Sequence, residues 1–165
     1  MTTHHHWDHI GGLRAYVHEG ATVVTHFGNR PYYQEVLRAG LWVLEPDRLS
    51  LHPPEEWSEG YIFETLHEKY ILGDSTRLVE LHHVQGLAHA AGMLIAYLPA
   101  DRMLVEADLY TPPGPGRPLP DAPDASARTL YRNVQRLGLD VETIVPINGG
   151  PGSWSEFETF VTGGE

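Results

Sequence analysis

Two hydrophobic periods alternate along this chain. From about Asp124, the residues Ala127, Leu130, Val134 and Leu137 recur at spacings of three and four, which predicts a helix with one apolar face. Gly11 to Glu19 predicts a short helix with Leu13, Tyr16 and Val17 on one side, and Trp154 to Val161 a last one. Asn29 followed by Pro31 has the character of a cap and an early proline, so a helix is expected to run on through Leu37. Between these lie short runs rich in β-branched and aromatic residues. Ala21 to Thr25, Tyr70 to Leu72, Leu78 to Val84, Met93 to Leu98, Met103 to Val105 and Thr143 to Pro146 are predicted strands. Asp74-Ser75 and Pro99 to Arg102 supply turns, while residues 40–60 and 111–124 are rich in proline and read as irregular. No internal repeat is visible. Strands interleaved with covering helices predict a layered α/β (α+β) fold, with 1–165 as a single domain.

Composition narrows the function more than the fold. Eleven Lys and Arg face 22 Asp and Glu, for a formal net charge of −11. That balance repels phosphate backbones and argues against nucleic-acid binding. No apolar run is long enough to cross a bilayer, so no membrane role is expected. With no cysteine, thiolate zinc sites and thiol nucleophiles are excluded. A chain without thiols suits either redox environment, and the cytoplasm is the favoured compartment.

The histidines then change the picture. There are eleven, and the chain opens Thr3-His4-His5-His6-Trp7-Asp8-His9-Ile10-Gly11-Gly12, an H-x-H-x-D-H run closed by two glycines. Nitrogen and oxygen donors at that density indicate a transition-metal site, zinc before others. Strand alternation over His4 to Asp8 would put His4, His6 and Asp8 on one side, with His5 and Trp7 pointing away. His9 follows where the chain turns, so two donor groups on one loop suggest two adjacent cations. A purification-tag remnant is the bland alternative, and the continuation into W-D-H-I-G-G argues against it. Further on, Gly86 to Gly92 places His89 in a glycine-flanked turn, and Leu104 to Tyr110 ends an apolar strand with Asp108. Taken singly, those two residues are ordinary surface and strand-end features; their order after the first cluster is what matters.

That order resembles the metallo-β-lactamase superfamily, and T-H-H-H-x-D-H-x-G-G-L-R through E-A-D-x-Y is similar to an uncharacterised hydrolase branch of it. The resemblance spans essentially the whole chain. It implies that His4, His6 and His89 hold one zinc, that Asp8 and His9 serve a second, and that Asp108 bridges the two. The implied fold is a four-layer αββα sandwich, of which much of the amino-terminal half would lie ahead of this motif. The chain is therefore expected to be a carboxy-terminal half, whose unmatched sheet face or edge a homodimer would cover. The implied activity is that of a zinc-dependent hydrolase using a metal-bound hydroxide to cleave an ester, thioester, lactone or amide in a small-molecule substrate, with Asp8 as proton acceptor. One departure weakens the second zinc: the family's P-x-H-G turn reads Pro146-Ile147-Asn148-Gly149 here, a neutral amide where imidazole is expected. A non-catalytic, partly degenerate metal-binding fragment is the rival reading. A diiron redox role fits less well, because such members carry an acidic residue where His6 stands.

Other residues attract less weight. His82 and His83 share a strand and must face opposite ways, and His18, His26, His52 and His67 lack ligand-like spacing and read as solvated surface. Tyr110 suits either a substrate pocket or plain packing.

Overall fold

A computed structural model describes residues 1–38, 46–51, 63–114 and 116–163. The chain divides into two compact units, Met1–His67 and Glu68–Glu165.

In the first unit, Thr2 donates its amide to the Val24 carbonyl (3.0 Å), which lays the amino terminus alongside strand β1 (Val23–His26). The unit also contains helices α1 (Trp7–Ile10), α2 (Leu13–His18), α3 (Arg30–Arg38) and α4 (Arg48–Leu51). β1 pairs in parallel with β2 (Phe63–Leu66), from Val23 opposite Phe63 to His26 opposite Leu66. The core gathers Leu13, Val17, Val23, Tyr33, Leu37 and Leu49, all buried. Of the three residues expected on the apolar side of α2, Leu13 and Val17 are inside, whereas Tyr16 is 70% exposed. The buried side of α2 is the Leu13 and Val17 pair, one turn apart. Neither α4 nor β2 was expected. The rest of the irregular stretch expected at 40–60 lies outside the described residues, as does His52.

In the second unit one six-stranded sheet has the order β3-β4-β5-β6-β7-β8. The strands are β3 (Lys69–Gly73), β4 (Leu78–His83), β5 (Leu94–Leu98), β6 (Met103–Glu106), β7 (Thr143–Pro146) and the two-residue β8 (Gly152–Ser153). Every pairing is antiparallel except β6 with β7, which run parallel. That parallel step needs a crossover, supplied by helix α5 (Ala125–Leu137). The helix forms where its spacing predicted. Asp124 caps it by accepting the Ala127 amide (2.8 Å), and Gly138 ends it in the left-handed conformation, φ 64°. Its apolar face, Ala127, Leu130 and Val134, packs with Leu104, Ile144 and Phe157 of helix α6 (Trp154–Thr162). Leu104, Leu130, Ile144 and Phe157 are wholly buried, each contributing about 1.5–3 kcal/mol.

Strand direction positions the chemistry. β4, β6 and β7 all run the same way, so the segments leaving them emerge at one edge of the sheet. Ligand sites in α/β sheets collect at such carboxyl ends.

Candidate metal centre

Each unit carries part of the expected donor set. In the first, the chain bends at Thr3 and His5, and His6 is the N-cap of α1, with φ −69° and ψ 146°. Helix then begins at Trp7, so the strand alternation expected over His4 to Asp8 does not form. Asp8 and His9 are instead presented from a single helical turn, closed by the His9 amide on the His6 carbonyl (3.0 Å). His4 is completely buried, and its ring centroid lies 4.4 Å from those of both His6 and His9. His4 and His6 offer donor atoms within 4.8 Å of one another. Thr3 Oγ1 sits 3.2 Å from His4 Nδ1, a contact that orients the ring. His5 turns aside as expected, its ring against Tyr32 at 5.3 Å. Asp8 is half exposed, with Oδ2 3.5 Å from His9 Nε2.

In the second unit the three strand ends bring together His89, Asp108 and Asn148. His89 stands on the loop after β4, Asp108 two residues past β6, and Asn148 two past β7. His89 Nε2 lies 3.4 Å from Asp108 Oδ2, and Asn148 Nδ2 donates to Asp108 Oδ1 at 3.2 Å. Asn148 thus faces the carboxylate as a hydrogen-bond donor and orients it. Thr111 Oγ1 donates to the Asn148 carbonyl (3.2 Å). The neighbouring Gly149 has φ 124°, and a Cβ there would come within 2.8 Å of the Thr111 methyl, so this turn requires glycine. Asp108 itself has φ 60°, one of two non-glycine residues with positive φ among the described residues. A left-handed backbone is uncommon outside glycine, and observed cases gather at functional sites.

Two residues that the sequence did not single out hold this arrangement. Glu106, the last residue of β6, is fully buried, and its Oε2 accepts the amides of Leu109 (2.8 Å) and Tyr110 (3.4 Å). Burial, opposed by those amide bonds, pushes its carboxyl up to about 7. Asn133 of α5 clasps the main chain of Gln85, where the His89 loop begins: Oδ1 accepts Gln85 N and Nδ2 donates to Gln85 O, both at 2.9 Å. A polar residue beside Leu130 and Val134 on an otherwise apolar helix face was the available signal for Asn133; for Glu106 it was a carboxylate closing an apolar strand.

Tyr110 packs as one of its two expected roles requires, and it also borders a cavity. Its ring packs 4.5 Å from Phe157, and it lines a cavity of about 520 Å³ with Pro112, Leu119, Ser153, Glu156 and Phe160. His82, His83 and His26 make local hydrogen bonds. His82 is buried against Glu80 (2.9 Å), and His83 contacts the Ala91 carbonyl (2.8 Å). His26 is half-buried rather than solvated, because its Nδ1 accepts the Gly28 amide. Among the described residues no helix is long and apolar enough to cross a membrane.

His4 and His6 of the first unit are imidazole donors, and the second unit offers the imidazole of His89 beside the carboxylate of Asp108, donor types that suit zinc or iron. No family model matches the sequence, and no curated protein does. Solved structures do match. A metallo-β-lactamase from Pontibacter korlensis is similar over 98% of this chain and 66% of its own, with TM-score 0.63 and 21% identity. An archaeal metallo-β-lactamase superfamily protein from Sulfolobus tokodaii is similar over 98% and 65%, with TM-score 0.63 and 18% identity. Rubredoxin:oxygen oxidoreductase from Desulfovibrio gigas is similar over 96% and 40%, with TM-score 0.62 and 13% identity. The chain therefore has the metallo-β-lactamase fold, and it spans slightly under two thirds of the length of the first two of these proteins.

Proposed function

We propose that this chain binds zinc and acts in hydrolysis of an ester, thioester, lactone or amide bond in a small molecule. His4, His6 and His89 would hold one ion, Asp108 would bridge, and Asp8 and His9 would serve a second. The observation that carries the reading is the pairing of His89 with Asp108 at the carboxyl ends of β4 and β6, at 3.4 Å, in a chain that opens with H-x-H-x-D-H. Likeness to metallo-β-lactamase folds over nearly the whole chain supports treating both donor groups as parts of one centre. Bound zinc supplies an acidified water and a Lewis acid for a substrate carbonyl. The protein's own residues do the rest. Asp8, half exposed beside His9, would take a proton, and Asn148 would orient Asp108 through its amide. Tyr110, which lines a cavity, would form one wall for the substrate.

Metal content after dialysis, read with turnover of a chromogenic lactone or thioester, tests the proposal. Close to two zinc per chain with turnover supports it; metal-free protein refutes it. His6→Ala should abolish binding at the first site, and unchanged stoichiometry in that variant removes the ligand assignment. A second reading, metal binding without turnover, is favoured by Asn148, whose amide donates to Asp108 where an imidazole ligand would be expected. Asn148→His should then raise second-site occupancy; equal zinc content in both proteins would count against it. Iron in the same metal analysis would turn the function toward the redox chemistry of the oxidoreductase neighbour.

A further inference from the structure

A buried carboxylate is expensive, because removing it from water costs several kcal/mol unless its oxygens are engaged. Glu106 ends a strand whose other buried position is Leu104, and an apolar residue would fill its place at no such cost. Its side chain does not point outward as a donor. Oε2 is taken up by the Leu109 and Tyr110 amides, at 2.8 and 3.4 Å, and Oε1 is buried with no hydrogen-bond partner among the described residues. Meanwhile its main-chain carbonyl accepts the Ile147 amide (2.9 Å), tying the end of β6 to the segment that carries Asn148. What the carboxylate does hold is the turn over residues 107–110. Asp108 lies inside that turn at φ 60°, a conformation that costs an L-residue about 1–2 kcal/mol and relaxes when nothing maintains it. A return to negative φ would redirect the Asp108 Cα–Cβ bond and carry its carboxylate away from His89.

We propose that Glu106 is the positioning residue of the metal centre: by engaging the Leu109 and Tyr110 amides it holds Asp108 in the left-handed conformation from which its carboxylate meets His89. This rests on Asp108 being a metal ligand, and the test separates the two claims. The full chain, stripped of metal, is titrated with cobalt(II), reading affinity and the visible spectrum, and amide exchange at Leu109 and Tyr110 is followed without metal. Both amides bond one oxygen, which a glutamine also has. Glu106→Gln should therefore keep cobalt affinity within about threefold, with the wild-type spectrum and amide protection. Glu106→Met has the bulk and no oxygen, so it should lose that protection, bind cobalt about 10–100-fold more weakly and shift the spectrum. Asp108→Asn is the control on the premise: unchanged affinity and spectrum there would remove Asp108 as a ligand and the proposal with it. If Asp108→Asn weakens binding while Glu106→Met matches wild type, positioning alone is overturned. Should Glu106→Met not fold, a folded Glu106→Gln with affinity reduced more than about tenfold overturns it equally, because the acceptor oxygen would not be what matters.

Discussion

Asn133 is the most informative place to perturb the His89 loop, because it is buried and its partner is distant in sequence. It is 3% exposed and makes four hydrogen bonds at 2.9 Å: from Gln85 N and Arg136 Nη2 to Oδ1, and from Nδ2 to the carbonyls of Gln85 and Thr129. The two Gln85 bonds reproduce a short piece of strand ladder between a side chain and the main chain. Asn133→Ala leaves the Gln85 amide and carbonyl without these partners. A net hydrogen bond is worth about 1 kcal/mol and an orphaned buried group about 1–3 kcal/mol. Gln85 is an exposed residue that water can reach in part, so the low end applies: a loss of about 2–3 kcal/mol. Asn133→Asp keeps the size but puts a carboxylate oxygen against the Gln85 and Thr129 carbonyls. Near pH 8 it should be less stable than Asn133→Ala. The charged form is disfavoured in the fold, so its native pKa is raised, and stability should recover as pH falls towards about 4 and the acid supplies a donor. Urea unfolding at the two pH values gives the energies, amide exchange at Gln85 locates the effect, and zinc affinity should fall as His89 loses its anchor. A loss under about 0.5 kcal/mol in Asn133→Ala, or an Asn133→Asp protein that is the more stable near pH 8, would refute the reasoning.

Two further outcomes concern charge. Arg14 donates to the last carbonyls of α3, Val36 (2.8 Å) and Leu37 (2.7 Å), and to Asp47 and Ser50 at the start of α4. Its guanidinium bond holds the Asp47 carboxyl well below the usual carboxylate range, helped by the Ser50 amide and hydroxyl. Asp47 is 41% exposed and screened, so Arg14→Ala should cost only about 1–3 kcal/mol. Because the Asp47 pKa is depressed, the stability it adds is present above about pH 4 and lost as pH falls further; the variant should show a flatter acid limb in unfolding measurements, and an unchanged limb would count against the pairing. Glu106 has the opposite sign. With its carboxyl raised from 4.5 to about 7, stability is full below the lower value and declines as pH rises to the upper one, by about 3 kcal/mol in chelator-treated protein. Glu106→Gln should abolish that decline, and a slope equal to wild type would exclude Glu106 as its source.

The expected elements came through best where a local pattern was long enough to be unambiguous. Helix α5 has thirteen residues, an aspartate cap and a glycine stop, so periodicity and capping agree. The strands from β3 to β7 were likewise visible as apolar runs between turn residues. β2 and β8 were not, since four residues reading Phe63-Glu64-Thr65-Leu66 and two reading Gly152-Ser153 carry no period, and pairing with a neighbouring strand alone makes them strands. Strand alternation over His4 to Asp8 failed for a related reason: extended and helical spacing cannot be told apart over five residues, and helix starts at Trp7.

The donor types and their order along the chain were open to reading from residues alone, because ligand chemistry resides in side-chain identity and the first cluster is contiguous. Which groups face one another was not. Asp108 meets Asn148 across 40 residues and Asn133 meets Gln85 across 48, distances over which no local pattern specifies a partner. Strand direction in the sheet settled those meetings, by sending β4, β6 and β7 to the same edge. Packing likewise decided that Glu106 lies inside, where its carboxylate accepts the amides of the turn carrying Asp108. Side-chain chemistry is written residue by residue; hydrogen-bond partnership and burial exist only once distant segments share a core.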